Sequence, residues 1–219
     1  MEIVTSEDAE VRTAQLALLA AKTRHATLEA DAQAINNISM KHQLESVQAG
    51  PEHSLTLTFY NPVVGVTVVD AISTLDRWSR REPGRPIEII FCSPGGSVSD
   101  GFALFDFISE LRGRGHKITT KCIGLAASMG AILIQAGDER VMTRNAFLMV
   151  HEVSAEGRGS LSELSDHLKM VERFQAKGLD ILTERANLSR DDLASRWKKT
   201  DWYLDAEEAL SLGFIDRIV

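Results

Sequence analysis

The chain of 219 residues carries 24 Lys and Arg against 31 Asp and Glu, a formal net charge of −7. Because nucleic-acid binding requires a basic face that contacts phosphates, this acidic balance argues against a nucleic-acid partner. Apolar residues make up 44% and charged residues 25%, which is the composition of a folded globular protein and excludes a disordered one. The length suits one α/β domain with an appendage.

The distribution of apolar residues argues against a membrane protein. No apolar run reaches the roughly 18 residues that a membrane-spanning helix needs. The apolar stretch at residues 14–21 follows four acidic residues within the first ten, whereas a secretory signal opens with positive charge. We therefore expect a cytoplasmic protein, in which Cys92 and Cys122 are buried free thiols.

The first quarter of the chain is predicted to be helical. Residues 6–47 are rich in Ala, Leu, Glu and Gln and contain neither Pro nor Gly, which favours one long helix or two shorter ones. Gly50 and Pro51 then break the pattern. We divide the chain into an N-terminal helical extension over residues 1–54, expected to serve packing or oligomer contacts, and a second domain over residues 55–219.

From residue 55 onward the pattern alternates between strands and helices. Strands are predicted over residues 55–60, 87–92, 118–123 and 140–150, and helices over residues 63–80, 102–111, 129–136 and 161–186. Ser189 is predicted to cap a further helix, and Asp205 with Glu208 to form the capping box of a last one that ends at Gly213. Strands alternating with helices of about a dozen residues imply an α/β layered fold.

Ser128 is the first candidate for chemistry. It lies in the run GLAASMGA (residues 124–131), where an extended segment gives way to a helix through small residues. A nucleophile on such a turn is open to substrate and has free backbone N–H groups nearby. Taken alone, however, this pattern more often marks a helix cap.

The run SPGGS (residues 93–97) follows one predicted strand and opens a helix. Its glycines could leave N–H groups pointing into a site, which is what an oxyanion hole requires. The alternative is a βα turn whose glycines serve conformation alone. A phosphate cradle is disfavoured because neither G-x-G-x-x-G nor a Walker motif is present.

His151 and Asp201 are the candidate base and orienting acid. His151 ends the apolar strand at residues 147–150 and could reach a site built from loops at strand ends, a setting that the other histidines lack. Asp201 lies just before the last helix and next to the aromatic residues Trp202 and Tyr203, which we expect to shield it from water. Three other acidic residues fit caps or turns: Asp191, Asp192 and Asp205.

Four segments, SPGGSVSDG, GLAASMGA, MVH and DWYLDAEEALSLGFID, together resemble the corresponding segments of Clp protease proteolytic subunits, in the same order and at similar separations. The resemblance covers about residues 55–219. It implies that Ser128 is the nucleophile, His151 the general base and Asp201 the third triad member. It also implies that Gly96 and Met129 supply the backbone N–H donors of the oxyanion hole.

The same resemblance implies a crotonase-like spiral of β-β-α units. It further implies rings of seven subunits stacked in pairs around a chamber for polypeptide substrates, an ATP-driven unfoldase as partner, and residues 161–186 as the helix that joins the rings. No cofactor or metal is implied. The chain departs from the family pattern over residues 1–54 and at Glu152, Val153 and Ser154, which replace the usual Gln-Pro after the histidine.

Three other functions remain open at the level of sequence. A crotonase-like acyl-CoA hydratase or isomerase would hold an oxyanion on N–H groups but would not need Ser128 and His151 together. A Ser-Lys peptidase could use Lys177 but would leave His151 unexplained. A catalytically idle ring subunit would serve as a scaffold, against which the presence of all three triad residue types argues.

Overall fold

The computed structural model describes residues 55–155, 157–198 and 200–219, together with the single residue Gln33. The chain divides into two units, Met1–Gly50 and Pro51–Val219, and the second is described below. The helical extension predicted over residues 1–54 lies outside the described residues, apart from Gln33.

Strands and helices alternate through the described part of the chain, as the apolar periodicity predicts. In chain order the elements are β1 (Leu55–Phe59), α1 (Gly65–Arg81), β2 (Ile87–Ser93), α2 (Val98–Gly113), β3 (Ile118–Ala127), α3 (Met129–Ile134), β4 (Glu139–Met142), β5 (Phe147–Val150), α4 (Leu161–Thr183), α5 (Arg190–Trp197), β6 (Trp202–Leu204), α6 (Ala206–Ser211) and β7 (Arg217–Ile218). The fold is therefore mixed α/β.

The strands form one mostly parallel sheet in the order β1-β2-β3-β4-β7. Strand β5 pairs in parallel with the far end of β3, and β6 runs antiparallel to β5. Alternate side chains are buried along β1 and β2, which is the period of a strand with one face on a core. The apolar sides of α1 and α2 belong to the same core.

The prediction of a single strand over residues 140–150 is wrong, because the structure has two strands there, β4 and β5. Strand β3 has ten residues, and it pairs with β4 over Thr119–Cys122 and with β5 over Leu125–Ala127. Between β4 and β5 the chain turns at residues 143–146, where the N–H of Ala146 donates to the carbonyl of Thr143. This turn separates the strand that pairs with the first half of β3 from the strand that pairs with the second half. The short strands β6 and β7 were not predicted either.

Helix α4 begins with the predicted amphipathic pattern but is buried only near its end. Ser160 caps it in a reciprocal pair with Glu163, and the hydrogen bonds from Ser160 lower the pKa of that carboxyl. Leu161 and Leu168 are exposed, whereas Leu179 and Leu182 join the core. No helix among the described residues combines the length and apolar character needed to cross a bilayer.

A charged cluster fixes the C-terminal segment to the sheet. The Arg140 side chain, only 3% exposed, donates to Asp216 and to Oε1 of Gln135, and Arg185 also donates to Asp216. Burial would raise the pKa of Asp216, but hydrogen bonds from Arg140 and the charges of Arg140 and Arg185 outweigh it and hold the pKa below its ordinary value. The cluster thereby ties β7 to the end of α3.

Candidate active site

Ser128 lies on a strained turn between β3 and α3. Its φ of 53° and ψ of −118° make it the one non-glycine residue with positive φ in the described part of the chain. Its N–H donates to the carbonyl of Met149 at 2.7 Å, which helps to hold this conformation. Such strain persists where the surroundings over-determine it, and it is concentrated at functional sites.

His151 meets Ser128 because their strands are neighbours. Strands β3 and β5 are parallel, with Ala127 beside Met149, so both chains leave the sheet at the same edge. The Nε2 atom of His151 lies 2.8 Å from Oγ of Ser128, which is a hydrogen-bond distance. The hydroxyl can therefore pass its proton to this ring nitrogen when the ring is the tautomer with Nε2 unprotonated.

Asp201 reaches the other side of the His151 ring, but loosely. It directly precedes β6, and the pairing of Trp202 with Val150 places it beside the histidine. The distance from Oδ1 of Asp201 to Nδ1 of His151 is 3.6 Å, beyond a hydrogen bond. Distances of this kind are often long in unliganded sites and shorten when substrate binds.

The expectation that aromatic residues shield Asp201 from water is wrong. Its side chain is 58% exposed, whereas that of His151 is 25% exposed. The Trp202 ring instead packs edge-on against Phe214, with ring centroids 6.2 Å apart. The other neighbouring aromatic, Tyr203, is itself exposed. One ring therefore packs on Phe214 and the other lies in solvent, and the carboxylate stays more than half exposed.

Gly96 and Met129 place two backbone N–H groups beside Ser128. Met129 is the first residue of α3, where a helix leaves its N–H groups unsatisfied. Gly96 bridges Val63, whose N–H and carbonyl bond to Gly95 and Ser97 on either side of it, so the N–H of Gly96 faces away from Val63. Neither N–H donates to an acceptor within the described residues.

Glycine at position 95 lets this loop lie directly on the nucleophile turn. Its φ is +89°, and a Cβ there would fall 2.7 Å from both the carbonyl oxygen of Ala127 and Cβ of Ser128. No side chain fits this contact. Gly95 therefore serves a close approach between the two segments, whereas Gly96 lies against Val63.

A cleft that is partly open to solvent adjoins Ser128, His151, Gly96 and Met129, which line its polar end. The rest is mainly apolar and includes Val98, Phe102, Ile132, Phe174, Leu182 and Trp197. This arrangement can hold an apolar side chain while a neighbouring carbonyl lies at the serine. Sequence reasoning missed Phe174 and Trp197, because apolar residues on helices look like ordinary core.

The remaining chemical candidates lie elsewhere. Lys177 is exposed on α4 and does not line the cleft, which leaves the Ser-Lys alternative without support. Both cysteines are free, but only Cys122 is buried, and Cys92 is half-buried. Burial, aided by the charge of Cys92, raises the pKa of the Cys122 thiol to about 12. Within the described residues, no three His, Cys, Asp or Glu side chains gather as a metal site would require.

Comparisons of the sequence with known proteins identify the family of the chain. The family model described as Clp protease matches residues 56–219. The chain is 34% identical to the ATP-dependent Clp protease proteolytic subunit 1 of Chlamydia pneumoniae over 165 residues, which cover 74% of this chain and 84% of that protein. The subunit 1 of Chlamydia trachomatis serovar D is 31% identical over 185 residues, which cover 82% of this chain and 94% of that protein. The chain belongs to the Clp protease family.

Proposed function

We propose that the chain is a serine endopeptidase subunit with Ser128 as nucleophile, His151 as general base and Asp201 as the group that orients the histidine. The observation that carries the proposal is the 2.8 Å contact between Nε2 of His151 and Oγ of Ser128 on a strained turn. Family membership and the two unpaired N–H groups support it.

In the first half of the reaction, Oγ of Ser128 attacks the carbonyl carbon of the scissile peptide while its proton passes to Nε2 of His151. The carbonyl oxygen becomes an oxyanion that accepts hydrogen bonds from the N–H groups of Gly96 and Met129. The intermediate then collapses, the C–N bond breaks, and His151 returns the proton to the leaving amine. The acyl group remains on Ser128 as an ester.

In the second half, water replaces the amine. His151 takes one proton from the water as its oxygen attacks the ester carbonyl, and the same N–H groups hold the new oxyanion. When the C–O bond to Ser128 breaks, His151 returns the proton to Oγ and the carboxylic acid product leaves. Asp201 fixes the ring tautomer and stabilises the imidazolium formed in each half.

We further propose that the subunit works on polypeptides inside stacked rings and is supplied by an ATP-dependent unfoldase in the cytoplasm. The relatives named above are described as ATP-dependent Clp protease proteolytic subunits. The exposed leucines Leu161, Leu164 and Leu168 recur on one side of α4, and an apolar stripe of this kind is suited to contacts between rings. The crotonase-like spiral of the fold is part of the same proposal.

A fluorophosphonate probe tests the central assignment. Wild-type protein should be labelled at Ser128, which mass spectrometry of the digested protein locates, and should hydrolyse a small fluorogenic peptide. Ser128→Ala should lose both properties while sedimentation shows an unchanged assembly, because the change removes one hydroxyl and little packing. Ser109→Ala removes a helix hydroxyl away from the cleft and serves as the control. Hydrolysis near the wild-type rate in Ser128→Ala would overturn the assignment.

A further inference from the structure

The loop that carries Gly96 is held by the segment that follows β1. Val63, fully buried, follows β1 and donates its N–H to the carbonyl of Gly95 at 2.8 Å. Its own carbonyl accepts from the N–H of Ser97 at 2.7 Å. These two bonds bracket Gly96 and set the direction in which its N–H points.

A single hydroxyl joins this segment to the start of the loop. Ser93, the last residue of β2, is 1% exposed. Its Oγ donates to the carbonyl of Asn61 at 2.7 Å and accepts from the N–H of Gly95 at 3.2 Å. The side chain therefore contacts both the residues before Val63 and the loop that Val63 brackets.

The hydroxyl lies where β2 leaves the sheet. The pairing of β2 with β3 is regular up to Phe91 and Cys122, but its register shifts before Ser93 pairs with Ala126. Ser93 is the last residue of β2, so the pairing with β3 does not hold the loop that follows it. That loop is held by the two bonds of Ser93 together with the two backbone bonds of Val63.

We propose that Ser93 is a positioning residue that sets the separation between the N–H of Gly96 and Ser128. The inference rests on the proposed peptidase function. A Cβ on Gly95 would lie 3.1 Å from the backbone N of Met129, so the loop passes close to the second donor. A small displacement of the loop therefore changes how the two donors meet the same oxyanion. Oxyanion stabilisation depends on donors held at hydrogen-bond distance from the position that the oxyanion will occupy.

The test compares Ser93→Ala with a matched control, Ser79→Ala. Ser79 is also buried, and its hydroxyl contacts Nε2 of His116 at 2.9 Å and Nη1 of Arg114 at 3.4 Å, away from the cleft. Each substitution deletes one buried hydroxyl with two partners. Both variants should lower the melting temperature by similar amounts. Measured per assembled particle, only Ser93→Ala should lower kcat on a fluorogenic peptide, by about tenfold or more, with KM within about twofold.

A second measurement separates positioning from general damage. A peptide boronate forms a tetrahedral adduct on a serine nucleophile and places one oxygen in the oxyanion hole. Its affinity should fall in parallel with kcat/KM in Ser93→Ala, whereas the affinity of a product peptide should not change. Ser93→Cys keeps the size of the side chain with a weaker donor, so its kcat should lie between those of wild type and Ser93→Ala.

The outcomes are distinct. If wild type is active and Ser93→Ala has kcat within twofold of it, or Ser79→Ala loses kcat equally, Ser93 does not act as proposed. If Ser93→Ala and Ser93→Cys both fail to assemble, the role is structural and the proposal is also overturned. If wild type itself shows no hydrolysis that depends on Ser128, the result overturns the proposed peptidase function, and with it the role of Ser93 that rests on that function.

Discussion

The two contacts of the His151 ring differ in how the fold supports them. The contact to Ser128 joins the ends of two parallel strands inside the sheet, and it is short. The contact to Asp201 depends on β6, an antiparallel edge strand of three residues, and it is long and more exposed. Pairing in the middle of a sheet holds its residues more rigidly than a short edge does. The proposed nucleophile and base are therefore held more firmly than the proposed third member, Asp201.

The largest effect should come from His151→Ala. We expect kcat/KM to fall by about a thousandfold or more, because among the described residues His151 is the one titratable side chain that lines the cleft at Ser128. The measurement is kcat/KM on a fluorogenic peptide, with assembly checked by sedimentation. The exposed His167 on α4 supplies the control His167→Ala, which should keep the wild-type rate. Hydrolysis near the wild-type rate in His151→Ala would contradict a histidine base.

Asp201→Asn should have the second-largest effect. In a tightly bonded triad this change costs about ten-thousandfold. Because Asp201 is 58% exposed and 3.6 Å from the ring, we expect a smaller loss of about a hundredfold in kcat/KM. The controls are Asp191→Asn, Asp192→Asn and Asp205→Asn, which should change stability by about 1 kcal/mol or less. If one of these controls loses activity while Asp201→Asn does not, the third member has been wrongly assigned.

Gly95→Ala should have a moderate effect on activity. It changes the loop that packs against Ser128, which belongs to the short contact of the His151 ring. The new Cβ meets the backbone of Ala127 and the Cβ of Ser128, and the φ of +89° is unfavourable for alanine. We expect kcat to fall by about tenfold or more, with a lower melting temperature. Gly113→Ala has open space around the new Cβ and should leave kcat unchanged. Equal activity in both variants would show that the loop tolerates displacement.

The smallest effect on activity is expected from Asp216→Asn, because Asp216 lies outside the site. Because its pKa is lower in the folded protein than in the unfolded chain, its contribution to stability is complete above the unfolded value of about 4 and is lost as pH falls through the folded value. Urea unfolding should therefore show a stability loss below about pH 4 that is weaker in Asp216→Asn. Loss of stability already near pH 6 would contradict the assignment of this effect to Asp216.

Much of the fold and of the candidate site was predictable, because the relevant signals are local. Apolar spacing predicted the main helices and strands, and Ser189 and Asp205 cap their helices as the side chains indicated. Small residues around Ser128 indicated a tight turn, which the structure confirms through its positive φ. The family followed from four motifs whose residue types appear in the sequence, and the family match over residues 56–219 confirms it.

The remaining features depend on long-range register and on backbone contacts. The length of β3 determines that two separate strands, β4 and β5, pair with it. The direction in which β6 turns its side chains determines the exposure of Asp201. The bracket around Gly96 is made by the backbone of Val63, for which any residue type would provide the same atoms. The sequence by itself determined which side chains can do chemistry. Only the tertiary structure decided how closely they meet, because hydrogen-bond distances result from the packing of segments that are distant in the chain.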